Sequence, residues 1–206
     1  MYHVINSHID QVLAQISRGH VAEYDYLHAN RHNLVDIDYQ RRFKIFWAMN
    51  AARLSEPFCS HYFDLLKEVL VSRRDIKEIA GILNQVPTNA NGKSLQFSFA
   101  SKLLHMVDSR TPIYDSMVTN FFFYEEPNNK RPVEQRIGEL AGFHRFLVAE
   151  YRRILDNDLL GASILKFREV LNPKTFTDEK IIDSLIWGFV SIQKGGAASR
   201  KEIVYC

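Results

Sequence analysis

Apolar residues in this chain recur every three or four positions and almost nowhere in strict alternation, which is the signature of packed helices. Val4, His8, Ile9, Val12, Leu13 and Ile16 form the first stripe, and Gly19 reads as its C-cap. A second runs through Phe43, Phe46, Trp47, Asn50, Ala51 and Leu54. Ser55 then has the chemistry of an N-cap, with Pro57 in the first turn of a helix carrying Phe58, Tyr62, Leu65, Leu66, Val69 and Leu70. Ser72 and Asp75 mark another start, ahead of Ile76, Ile79, Ala80 and Leu83. A helix is expected from about Ser94 to Val107, and another opens near Asp115. The longest stripe runs from Ile137 to Leu155 with charged residues off it. Gly161 to Leu171, closed by Asn172-Pro173, and Ile181 to Ile192, stopped by Gly195-Gly196, complete the pattern. No alternating strand of useful length is present. The chain is therefore expected to be all-α, a single globular multi-helix domain over 1–196, followed by a loosely ordered tail over 197–206. If the helices divide into two lobes, the cleft falls near 85–118.

Composition narrows the class further. Apolar residues are 46% and aromatics 12%, which is ample for a core. No apolar run approaches the ~20 residues needed to span a bilayer, and the first residues do not read as a signal peptide. Cys59 and Cys206 are too few for a disulfide scaffold or a four-cysteine zinc site, so the expectation is a reduced, cytoplasmic protein. With 26 Lys+Arg against 24 Asp+Glu, the net charge of +2 excludes a strongly basic nucleic-acid coat but leaves room for a local basic patch. No motif points to a cofactor.

The stretch Gln85 to Gly92, QVPTNANG, interrupts the helical pattern most sharply, because Pro87, Asn89, Asn91 and Gly92 are turn formers for separate steric reasons. Gly92-Lys93-Ser94 looks like the end of a phosphate-binding loop. That motif needs a glycine where Pro87 stands and a strand before it, and the backbone nest for phosphate is therefore missing. Taken whole, Gly92 to Val118 reads GKSLQFSFASKLLHMVDSRTPIYDSMV: a glycine turn, a helix, a short loop with Pro112, then an aspartate opening the next helix. This order resembles the core of the helix-hairpin-helix DNA glycosylase superfamily. Pro112-Ile113-Tyr114-Asp115-Ser116 stands where that family carries its proline-to-aspartate motif. The resemblance implies a glycosylase-like fold, double-stranded DNA as partner, and Asp115 as the catalytic aspartate. It also implies, for bifunctional members, a nucleophilic lysine after the hairpin. Lys93 and Lys102 are the candidates, although Lys93 lies further from Asp115, and Lys102 nearer to it, than the family's usual separation. The hairpin has one glycine where the family normally shows two.

Cleaving an N-glycosidic bond builds positive charge on the sugar, and a carboxylate near C1′ stabilises that charge or positions a water. A lysine acting as nucleophile would attack C1′ and would need its pKa lowered by burial. On the helix beginning near Ser94, the residues Ser94, Ser98, Ser101, Lys102 and His105 gather opposite the apolar stripe. They read either as a solvent face, the simpler reading, or as the wall of a pocket shared with Tyr114, Asp115 and Ser116. Phosphate contacts would come from Asn89, Asn91, Gly92 and Lys93 of the turn, with Arg73, Arg74 and Lys77, or from Arg41, Arg42 and Lys44. A base taken out of the stack needs an aromatic platform, for which Tyr114, Trp47, Tyr39 and Trp187 are available, Trp187 reading rather as core. His28 and His32 share the spacing of a helical chelate but have no third ligand at a telling distance in sequence, so no metal is expected. His144, on an apolar stripe, reads as a hydrogen-bonded core histidine. The competing reading of the whole is a non-enzymatic helical module that binds another protein, in which Asp115 is only a helix N-cap.

Overall fold

Residues 1–90 and 92–195 are described by a computed structural model. Asn91, one of the expected DNA contacts, and the expected tail lie outside the described residues. Among the described residues every regular element is a helix and there is no strand. The elements are α1 (Tyr2–Ser7), α2 (Ile9–Leu13), α3 (Arg18–Ala29), α4 (Ile37–Phe46), α5 (Glu56–Val71), α6 (Ile76–Leu83), α7 (Phe97–Val107), α8 (Ser116–Phe121), α9 (Val133–Asp156), α10 (Gly161–Leu171) and α11 (Asp178–Lys194). No helix among the described residues is long and apolar enough to cross a membrane.

Local chemistry fixes most of the starts. Ser55 accepts from Phe58 N at the head of α5, with Pro57 in its first turn. Asp75 and Glu78 form a reciprocal capping box on α6. Asn172 ends α10 in the left-handed region, at φ 49°. Elsewhere the periodic stripes proved longer than the helices. The first stripe is broken at His8, and Gly19 is not a C-cap. It lies in the first turn of α3, whose N-cap is Ser17, accepting from His20 N. The second stripe stops at Trp47, where Ala48 at φ 59° turns the chain. The helix expected from Ser94 begins at Phe97, because Ser94 is engaged with Thr88 and Gln96 in the preceding turn.

The core gathers on α11, which packs against α8, α2, α10 and α9. Its residues Ile181, Ile182, Leu185 and Ile186 have no exposure. Gly188 permits the approach of α2: a Cβ built there would lie 2.8 Å from the Val12 carbonyl oxygen and 3.0 Å from Val12 Cγ1. On the other side, α6 packs against α7 and α9. Asp25 of α3 ties down the connection before α11, accepting from Lys174 N, Thr175 N and Thr175 Oγ1. One compact all-helical domain results.

Gly188→Ala is expected to destabilise the protein by about 1–3 kcal/mol, the usual cost of overpacking against backbone that cannot retreat. Gly81→Ala, where the added Cβ meets nothing within 4 Å, is expected to raise stability by up to about 1 kcal/mol through helix propensity. Paired urea melts of the two variants check both signs.

Candidate functional site

The turn between α6 and α7 closes on Gly92. Thr88 N and Asn89 N both donate to the Gly92 carbonyl, at 2.9 and 3.4 Å, and Gly92 N donates back to Asn89 O at 3.1 Å. Gly92 has φ +112°, a region open to glycine and strained for any residue with a Cβ. Thr88 Oγ1 adds a bond to the same carbonyl. The turn is fastened to the head of α5, because Ser55 N donates to Thr88 O and Ser55 Oγ to Pro87 O. A helix, a tight glycine hairpin and a second helix thus follow one another over 76–107.

The polar side of α7 differs from the simpler expectation. It is not a solvent face. Ser101 and His105 are buried, at 0% and 1% exposure, and each is hydrogen-bonded within the chain. Ser101 Oγ accepts from Tyr114 N at 2.9 Å. His105 Nδ1 bonds the Thr111 carbonyl at 2.7 Å and its Nε2 bonds the Tyr24 hydroxyl at 2.8 Å. Ser98 is half-buried, and its carbonyl accepts from Ser101 Oγ. Ser101 and His105 therefore do not stand on an open wall where a substrate could reach them. The reason is tertiary: α3 and the loop after α7 close over that side of the helix and need its polar groups as partners.

Asp115 is the N-cap of α8. Its Oδ1 accepts from Met117 N at 2.9 Å and Val118 N at 3.0 Å, while Oδ2 makes no hydrogen bond among the described residues. The residue is half-buried and Ser116 beside it is exposed. Tyr114 is 4% exposed, with its hydroxyl donating to Glu126 Oε1 at 2.8 Å, so it cannot serve as a platform for a base.

The two candidate lysines separate clearly. Lys93 stands exposed on the hairpin. Lys102 points inward: Nζ donates to the Trp47 carbonyl at 3.2 Å and lies 4.6 Å from the centre of the Phe99 ring and 5.8 Å from that of Trp47. Trp47 follows the last residue of α4, so its carbonyl belongs to a helix end that an ammonium group favours. Burial pushes the Lys102 pKa down, while the negative charges of Asp115 and Asp183 pull against that fall. Asp115 and Lys102 therefore feel one another electrostatically.

Sequence reasoning missed a second lysine and carboxylate. Lys180 and Asp183 form a buried ion pair at 3.1 Å, one helical turn apart on α11, and Tyr151 donates to Asp183 at 3.3 Å. Lys180 Nζ lies 5.1 Å from the centre of the Tyr24 ring and 5.8 Å from that of Trp47. Burial raises the Asp183 pKa and Asp115 adds to the rise, so the four charges form one neighbourhood. Both ammonium groups thus lie 5.8 Å from the centre of the Trp47 ring, whose buried Nε1 has no partner among the described residues. The i, i+3 spacing of Lys180 and Asp183 was visible in sequence. Its burial was not.

Of the four aromatic candidates, Trp47 and Tyr39 are buried like Tyr114. Trp187 corrects the expectation of a core residue: it is 36% exposed, and its ring lies near-parallel to that of His20 at 6.4 Å. His20 stacks in turn on Phe46 at 4.5 Å, and burial pushes its pKa down to about 3, leaving a neutral ring. Among the basic clusters, Arg74 pairs with Glu68, Arg41 with Asp38, Arg42 with Glu23 and Lys44 with Glu56. Arg73, Lys77 and Lys93 are exposed and carry no salt bridge among the described residues. His28 and His32 belong to no group of three or more metal-ligating side chains among the described residues. His144 is a core histidine, bonded through Nε2 to the Pro112 carbonyl at 2.9 Å. A cavity of about 240 Å³ lies between the loop at Leu34 and α5, lined by Gln40, Phe63, Asp64 and Lys67 among others, and takes in none of the expected site residues.

Comparison with family models, with curated proteins and with solved structures finds no match to this chain. The chemistry is therefore read from the chain's own residues.

The histidines give a pH dependence. Burial pushes the His105 pKa down to about 3, with the field of Lys180 acting in the same direction, against about 6.5 when unfolded. A depressed histidine pKa means that the unfolded chain binds the proton first. Its contribution to stability is thus complete above pH 6.5 and is lost as the pH falls from there toward 3, at up to about 1.4 kcal/mol per pH unit. Urea melts between pH 7.5 and 5 should show the loss, and His105→Gln should flatten the slope by about one proton.

Proposed function

We propose that this chain is a DNA-binding protein that acts on the N-glycosidic bond of a damaged or modified base, with Asp115 stabilising the sugar cation. The observation that carries the reading is the state of the Asp115 carboxylate. One oxygen is held by two backbone N–H groups at a helix start, the other makes no hydrogen bond among the described residues, and the Asp115 charge acts on the inward-pointing Lys102. A fixed anion with a free oxygen suits charge that develops at C1′.

The remaining parts support the same assignment. The hairpin at 88–92, the exposed Lys93, and Arg73 with Lys77 offer backbone and cationic contacts for phosphates. Trp187 over the neutral His20 ring offers a solvent-facing platform for an extruded base. Asp115 is the charge stabiliser in this reading. Lys102, held on the Trp47 carbonyl, would act as a nucleophile only after leaving that carbonyl.

The second reading, a non-enzymatic helical module, draws on the same hydrogen bonds, since capping α8 is itself a sufficient role for Asp115. Asp115→Asn separates the two, because asparagine caps a helix about as well as aspartate but carries no charge. Base release from duplexes carrying damaged bases is expected to be abolished in Asp115→Asn, with thermal stability and salt-dependent DNA binding retained. A wild-type protein that binds no DNA at low salt and releases no base sinks the glycosylase reading. Trapping with borohydride should give no adduct if water is the nucleophile. An adduct lost in Lys102→Met or Lys93→Ala would identify a lysine instead.

A further inference from the structure

We propose that Ser101, His105 and His144 are positioning residues that hold the loop Thr111–Tyr114 so that Asp115 presents its free carboxylate oxygen in one place. The proposal rests on the role given to Asp115 above and adds the means by which it is aimed.

The loop between α7 and α8 has no secondary structure of its own, yet Pro112, Ile113 and Tyr114 are buried. Its backbone groups must find partners inside the protein. Three side chains from two helices supply them. His105 reaches the Thr111 carbonyl at 2.7 Å, His144 the Pro112 carbonyl at 2.9 Å, and Ser101 accepts from Tyr114 N at 2.9 Å. Each successive contact lies closer to Asp115, and the last is on the residue beside it.

The tautomers follow from the partners. A carbonyl can only accept, so His105 donates from Nδ1 and leaves Nε2 to accept from the Tyr24 hydroxyl at 2.8 Å. The Thr111 carbonyl thereby fixes which nitrogen carries the proton, and the Tyr24 hydroxyl adapts by donating. His144 donates from Nε2 in the same way. Burial holds both imidazoles below their ordinary pKa, which keeps one acceptor-competent nitrogen on each ring at neutral pH. Ser101 does both jobs at once, accepting from Tyr114 N while its hydroxyl donates to the Ser98 carbonyl at 2.8 Å. An apolar wall would leave the Thr111 and Pro112 carbonyls and Tyr114 N without these partners and the loop's direction unset.

Ser101→Ala, His144→Leu and His144→Gln test the idea. In Ser101→Ala and His144→Leu the amides of Met117 and Val118, whose acceptor is Asp115 Oδ1, should lose hydrogen-exchange protection, while amides in the middle of α9 and α11 keep theirs. Single-turnover base release should fall by about 100-fold with DNA affinity unchanged, and His144→Gln, which keeps a donor, should recover most of it. Unchanged exchange at Met117 and Val118 in the folded variants, or protection lost evenly along the chain, would overturn the positioning role. If His144→Leu does not fold, Ser101→Ala decides the question alone. A wild-type protein without base release defeats the glycosylase reading, and the exchange measurement still decides whether the loop is held by these residues.

Discussion

The polar edge of α7 is the interaction on which the rest of this structure depends. Ser101, Lys102 and His105 each end on a backbone group of a neighbouring segment: Tyr114 N, the Trp47 carbonyl and the Thr111 carbonyl. These groups belong to the end of α4 and to the loop before α8, neither of which can satisfy them internally. One helix thus fixes both the floor of the charged neighbourhood and the segment that carries Asp115. Unpaired buried backbone groups cost about 1–3 kcal/mol each, so these side chains are constrained by their partners rather than by solvent.

The second constraint is electrostatic. Burial lowers the Lys102 pKa and raises that of Asp183, the charge of Asp115 raises both, and aromatic rings lie against the Lys102 and Lys180 ammonium groups. Ion pairs inside proteins are weak sources of stability, because desolvation offsets most of their attraction. In this cluster burial is the larger cause of both shifts, down for Lys102 and up for Asp183. Lys102 stays inside because its ammonium group completes the open end of α4.

Legibility in the sequence followed the range of the interaction. Ser55, Asp75 and Asp115 were readable as helix starts because capping is settled within three residues of chain. Gly92 was readable as the pivot of a turn, and its positive φ is the steric reason. His144 was readable as a core histidine because it sits on an unbroken apolar stripe. The errors arose where a pattern had two solutions. Small and polar residues on α7 fit a solvent face as well as a hydrogen-bonded interior, and only the closure of α3 and of the 111–114 loop over them chose. Trp187 fell among apolar neighbours and was expected inside, yet a turn of helix places it at the edge of the core.

The sequence by itself determined the all-helical class, the helix starts at Ser55, Asp75 and Asp115, and the glycine turn at Gly92. All of these depend on periodicity, capping and backbone sterics within a few residues. Tertiary structure decided which lysine is buried, that Lys180 and Asp183 share its neighbourhood, which aromatic ring meets solvent, and which side chains hold the Asp115 loop. Those outcomes join residues tens of positions apart, and burial, field and hydrogen-bond partnership have no value until the chain has brought them together.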